Sequence, residues 1–124
     1  MTAGTFFDVI VEADGGNTLL TLHGVLDVAT SGALRTTLYE LVRESAEDVV
    51  IDLRSLEYLD STGLGVLVGA QKRALERDNQ IRLVVAEGRI ERLLRITGLT
   101  SAFAVYRTID DAREDSRRIV SLID

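Results

Sequence analysis

The chain has 124 residues, 46% of them hydrophobic, with a formal net charge of −6, one His and no Cys. These figures fit one compact domain (1–124) with a real core, and they exclude a disordered chain, a disulfide scaffold and thiolate chemistry. The acid excess argues against nucleic acid, which needs clustered Lys and Arg, and a single His leaves too few ligands for most zinc sites.

No apolar run approaches the ~18 residues of a membrane span, so no membrane partner is expected. The start, Met1-Thr2-Ala3-Gly4-Thr5, lacks the basic and apolar regions of a signal peptide, which predicts a cytoplasmic location. No repeat, linker or low-complexity segment interrupts the chain, and Pro is absent.

In chain order, residues 5–12 alternate as a strand, with Phe7, Val9 and Val11 on one face and Phe6, Asp8, Ile10 and Glu12 on the other. Asp14-Gly15-Gly16-Asn17 is a turn of residues that tolerate positive φ. Residues 18–24 return antiparallel, and His23 shares a face with Leu19 and Thr21. A lone His at a strand end is more often structural than catalytic. Next comes Gly24-Val25-Leu26-Asp27-Val28-Ala29-Thr30-Ser31, in which Thr30 or Ser31 can cap a helix running to about Ser45. Leu34, Leu38, Leu41 and Val42 form its buried stripe. Asp27 lies in the loop before the cap. It reads either as an Asx-turn residue or as a carboxylate near a functional rim.

Residues 48–53 read as a strand covered on both faces. A polar turn, Arg54 to Asp60, then leads into a helical pattern beginning Ser61-Thr62-Gly63-Leu64-Gly65. Asp60 and Ser61 are both strong N-cap residues, and a helix start also favours a phosphate. Leu64, Leu67, Val68, Ala74 and Leu75 point inward, with Lys72, Arg73, Glu76 and Arg77 outward. Gly63, Gly65 and Gly69 each cost roughly 1 kcal/mol in a helix relative to Ala, which implies close approach of a strand, a helix, a partner or a ligand. Close packing on the sheet is the simplest of these.

Asp78-Asn79-Gln80 is a turn, and residues 81–86 are a further buried strand. Residues 87–97 make a short helix with Ile90, Leu93 and Leu94 inward, Arg89, Arg92 and Arg95 outward, and Gly98 ending it. Residues 102–106 form a short edge strand. Thr108 caps a last helix with Ile109, Ala112, Ile119, Val120 and Ile123 as its apolar face and Arg113, Glu114, Asp115, Arg117 and Arg118 opposite. The expected fold is α/β: a mixed sheet of four to five strands packed by about four helices, in the order β-β-α-β-α-β-α-β-α. If the second and third strands are neighbours, Asp27, Asp60 and Ser61 share the carboxyl rim, where α/β proteins tend to bind ligands.

Autonomous chemistry finds little support. A Ser-His-Asp hydrolase would need His23 near a serine, and no G-x-S-x-G elbow is present. No G-x-x-x-x-G-K-[ST] phosphate loop exists. A phosphate-accepting Asp would want an acidic cluster and a loop lysine, whereas Lys72 is the only lysine and sits inside a helix. The chain is therefore not expected to be an enzyme, and no catalytic, cofactor or metal-binding residue is assigned.

Asp60-Ser61-Thr62-Gly63-Leu64-Gly65-Val66-Leu67 after an apolar strand resembles the signature of the STAS domain, above all that of anti-sigma-factor antagonists in bacterial partner-switching systems. Gly24-Val25-Leu26-Asp27 with Thr30 resembles the second motif of that family, with Val25 where an acidic residue is usual. Thr97-Gly98-Leu99 with Phe103, Tyr106, Thr108 and Ala112 resembles the third. The resemblance implies a cycle. An anti-sigma factor that is also a serine kinase binds the unmodified antagonist, releases its sigma factor, and phosphorylates Ser61; a serine phosphatase resets the switch. ATP and Mg²⁺ would belong to the kinase. Asp27, Thr30, Asp60, Thr62, Gly63 and Leu64 would form the partner-binding surface of a monomer. Other STAS roles remain open: a nucleotide-sensing or scaffold module, or the soluble component of a transport system.

Overall fold

The computed structural model describes residues 6–114. Strands β1 (Phe7–Asp14) and β2 (Asn17–Leu26) form an antiparallel hairpin. Its two-residue turn is Gly15-Gly16, with φ of +55° and +91°, as the tight mirror-image hairpin turns require. Helix α1 (Ser31–Glu44), strands β3 (Val49–Asp52) and β4 (Leu56–Leu59) and helix α2 (Ser61–Glu76) follow. The chain continues through β5 (Ile81–Val84), α3 (Arg89–Ile96), a 3₁₀ turn (Leu99–Ser101), β6 (Ala104–Tyr106) and α4 (Ile109–Glu114).

The sheet runs β1-β2-β3-β5-β6, with β4 also paired to β2, and every pairing except the hairpin is parallel. There are thus six strands among the described residues, more than the four to five expected. The addition is β4. Its apolar ends bracket an exposed Glu57-Tyr58 centre, so it lacks the alternation of a half-buried strand and reads as a turn. It forms because β2 is long enough to pair twice. Thr18–Thr21 match Val49–Asp52, and Gly24–Leu26 match Leu56–Leu59 across a register shift. That shift sits at Gly24, whose φ is +94° and where a Cβ would lie 2.2 Å from the Phe6 carbonyl oxygen.

The sheet divides two apolar layers. Leu20, Leu22, Ile51 and Leu83 face Leu34, Leu38, Leu67, Leu94 and Phe103. Leu19, Val50, Val84 and Tyr106 face Ile109 and Ala112 of α4 on the other side. Burial on both faces is why Val49-Val50-Ile51 reads as an unbroken apolar run. In detail, Val66 is buried, although it was not expected to be, while Leu41, Val68 and Leu75 are only half-buried. The expected last-helix residues Asp115, Arg117, Arg118, Ile119, Val120 and Ile123 lie outside the described residues.

Buried polar groups tie the layers together. The Arg82 guanidinium donates to Asp48 Oδ2 from Nε at 3.2 Å and Nη2 at 3.0 Å, and from Nη1 to the Ala112 carbonyl, joining α4 to the sheet. Asp48 Oδ1 accepts from the Gln80 N–H at 2.9 Å. Gln71, fully buried in α2, accepts from the Ile81 N–H at 2.7 Å and donates to the Ala102 carbonyl at 2.9 Å. A charge pair this deep adds little net stability, but breaking it strands a charge. Arg82→Ala should therefore lower unfolding stability in urea by about 3–5 kcal/mol. Arg82→Met combined with Asp48→Leu should recover most of that loss, and a double variant no more stable than the single would contradict the assignment.

Candidate functional site

The two strand pairings of β2 bring two loops together. The Asp60 N–H donates to the Leu26 carbonyl at 3.2 Å, so the loop after β2 and the start of α2 meet at one carboxyl rim. Asp27 and Asp60 each directly follow one of these paired strand ends.

Each aspartate has a local task. Asp60 is the N-cap of α2: its backbone is extended, and Oδ1 accepts from the Gly63 N–H at 3.0 Å. Asp27 Oδ1 accepts from the Ala29 and Thr30 N–H groups at 2.9 and 3.2 Å, an Asx turn. Thr30 occupies the N-cap position of α1 but makes no cap bond with its side chain. Its hydroxyl instead donates to the Val25 carbonyl at 2.8 Å and accepts from the Asp27 N–H at 2.9 Å. The loop is thus closed on itself, and at its tip Val28 is 75% exposed.

Ser61 is the first residue of α2 and is exposed. Among the described residues, its hydroxyl and the N–H groups of Ser61 and Thr62 have no hydrogen-bond partner within the chain. A helix start with free N–H donors carries about half a positive charge. The exposed hydroxyl therefore stands beside a small positive field, flanked by the capping carboxylate. His23 makes no hydrogen bond with Ser61, so no Ser-His pair is assembled among the described residues. These residues also hold no cluster of His, Cys, Asp and Glu suited to a metal, and no helix long and apolar enough to cross a membrane.

The remaining expected site residues divide. Thr62 is half-buried. Gly63 and Leu64 are buried, facing the core rather than the rim. A Cβ on Gly63 would lie 2.7 Å from both Leu26 Cγ and Leu59 Cδ1, so this glycine lets α2 press onto the ends of β2 and β4. Gly69 makes room for Tyr39, whose hydroxyl would be 2.0 Å from an added Cβ. Gly65 is different: it is exposed, with nothing within 4 Å of the same position. Two of the three helical glycines are thus explained by close packing, and Gly65 is not. Val28 was not anticipated at the rim. Its only sequence signal is an apolar residue inside a capping turn.

The sequence model of the STAS domain matches residues 8–112. The chain belongs to the STAS-domain family. It is 37% identical over 76 residues to an anti-sigma-B factor antagonist of Staphylococcus aureus (strain NCTC 8325 / PS 47), a match covering 61% of this chain and 70% of that one. In structure it is similar to an anti-sigma factor antagonist from Mycobacterium paratuberculosis, with a TM-score of 0.82, 28% identity, and coverage of 91% of this chain and 96% of the other. The Bacillus cell fate determinant SpoIIAA in its phosphorylated form has the same fold, with a TM-score of 0.69 at 17% identity, over 89% of this chain and all of that one (100%). In this STAS domain Asp60-Ser61-Thr62-Gly63 is the cap, the exposed hydroxyl, and the turn that packs them onto the sheet.

The glycines give a test with opposite signs. Gly65→Ala, in open helical space, should raise stability by about 0.5–1 kcal/mol. Gly63→Ala must displace Leu26 or Leu59 and should lower stability by about 1–3 kcal/mol. Asp60→Ala, losing the cap, should cost about 1 kcal/mol, and Asp60→Asn much less. Thermal unfolding of the four variants checks the set, and stabilisation by Gly63→Ala would refute the packing account.

Proposed function

We propose that this STAS domain is an anti-sigma-factor antagonist switched by phosphorylation of Ser61. Unmodified, it binds an anti-sigma factor that is also a serine kinase, and so frees the sigma factor. Phosphorylated by that kinase, it lets go, and a serine phosphatase restores it. Ser61 is a substrate here, and ATP and Mg²⁺ belong to the kinase. The protein acts in the cytoplasm as a monomer and performs no catalysis itself. The names of its relatives support the antagonist role. The observation that carries the switch is the exposed, unbonded Ser61 hydroxyl on a helix start anchored at both strand ends. Asp27, Thr30, Asp60 and Thr62 form the partner-facing rim, with Gly63 and Leu64 as its support.

The physics of the switch lies in the interface. Phosphorylation adds about −1.5 to −2 charges at neutral pH. Within the free protein, the α2 N-terminus favours them by roughly 0.3–1 kcal/mol, while Asp60 and Asp27 oppose them through screened repulsion of comparable size. The fold is therefore insensitive to the change. A phosphate pressed against a partner without a prepared cation must instead lose its water, at a cost of several kcal/mol.

The test is a titration of a purified anti-sigma factor with serine-kinase activity from the same organism. Phosphorylated protein, or Ser61→Asp as a weaker mimic, should bind about a hundredfold less tightly or worse, each tenfold being 1.4 kcal/mol. Ser61→Ala should bind normally and resist modification. Asp60→Asn should slow phosphorylation more than it lowers stability. Equal affinity of the modified and unmodified forms would refute the switch.

A further inference from the structure

A second surface lies between α1 and α2, away from the Ser61 rim. It is a groove of about 470 Å³ whose lining includes Tyr39, Arg43, Arg73 and Arg77, together with Glu40 and Glu76. Arg73 comes twelve residues after Ser61, about 18 Å along the helix axis at 1.5 Å per residue. That exceeds the ~8–10 Å screening length at physiological salt, so the groove does not feel the charge state of Ser61.

Arg73 is held in place yet free to bind. The Arg73 guanidinium stacks on the Tyr39 ring, 4.2 Å from its centroid, and Nη1 donates to the Gly69 carbonyl at 3.0 Å. Tyr39 can lie there only because residue 69 has no Cβ. A glycine that is costly in mid-helix thus admits a tyrosine, and the tyrosine fixes an arginine. Arg35 approaches the same ring at 6.0 Å. Among the described residues, Arg35, Arg73 and Arg77 come within ion-pair distance of no carboxylate, and Arg43 has only an exposed 3.7 Å contact with Glu44. Helix C-termini favour cations, which accounts for Arg43 and Arg77 but not for the Tyr39–Arg73 stack. An arginine already ordered, with most of its five donors unused, loses little entropy on meeting a carboxylate.

We propose that this groove docks an acidic segment of a protein partner. Unpaired arginines on a chain of net charge −6 supply the charge complementarity, and the Tyr39 ring holds Arg73 in position for it. Glu40 and Glu76 in the same groove leave Arg43, Arg73 and Arg77 only a small positive excess, which suits a segment with a few spaced carboxylates and disfavours a continuous polyanion such as nucleic acid or an anionic lipid surface. Because the groove lies beyond the electrostatic reach of Ser61, it holds its partner in both phosphorylation states. This goes beyond the switch and does not depend on it.

The probe is a short fluorescein-labelled peptide of alternating Glu and Leu, titrated against the full chain by fluorescence anisotropy. Binding should be saturable and weaken with salt. Arg73→Glu with Arg77→Glu should weaken it about tenfold or more, while Ser61→Asp should change it less than twofold. If the double reversal does not fold by circular dichroism, Arg77→Gln alone should still weaken binding measurably. The proposal is overturned if the wild-type chain does not bind the peptide, or if Arg89→Glu with Arg92→Glu, on a distant helix, weakens it equally. Tighter capture of a single-stranded oligonucleotide or of phosphatidylglycerol vesicles would overturn it as well.

Discussion

The first turn of α2 is pressed so closely onto the ends of β2 and β4 that residue 63 has no room for a Cβ. That contact, with the hydrogen bond from the Asp60 N–H to the Leu26 carbonyl, sets where the helix begins and at what angle it leaves the sheet. Everything at the rim follows from it. Asp60 is placed to cap, Ser61 is turned outward, and the self-closed Asp27–Thr30 loop stands beside both. A serine on a mobile loop would have no such defined position relative to the sheet.

The same design keeps Ser61 apart from the interactions that hold the fold. The polar groups that join the layers are Asp48 with Arg82, and Gln71 between α2 and β5. Asp48 and Arg82 lie at the opposite ends of the strands from Ser61, and Gln71 lies ten residues along α2 from it. A charge added at Ser61 meets solvent, two free N–H groups and the carboxylates of Asp60 and the neighbouring Asp27 loop, and none of the interactions that hold the core. A change of charge at the rim therefore leaves the scaffold that displays it as it is.

Much of this was legible in the residues. The hairpin was readable from Asp14-Gly15-Gly16-Asn17, because its two central residues must take positive φ. A cap at Asp60 or Ser61, and a rim shared if the strands were neighbours, were readable from chain order and residue types, and the structure assigns the cap to Asp60. β4 was not legible, because its pairing depends on a register shift at Gly24 in a strand far from it in sequence. Nor could sequence separate the roles of the three glycines in α2. Gly63 answers to two leucines and Gly69 to a tyrosine on another helix, while Gly65 meets open space. Periodicity reports which face of an element is apolar, not which neighbour occupies it. The inward Gly63 and Leu64 show the same limit within the motif itself: family resemblance marks the motif as a unit, and only packing distinguishes its displayed residues from those that support them.

The most direct measurement is amide hydrogen exchange on the Ser61-phosphorylated and unmodified protein under identical conditions. If the switch is a change of surface charge on a fixed scaffold, exchange should differ only around residues 27–30 and 58–65. Protection of β2, β3 and β5 should remain within about twofold, a difference of less than about 0.4 kcal/mol in local opening. Loss of protection through β3 and β5 on phosphorylation would contradict the account, because the modification would then be acting through the fold.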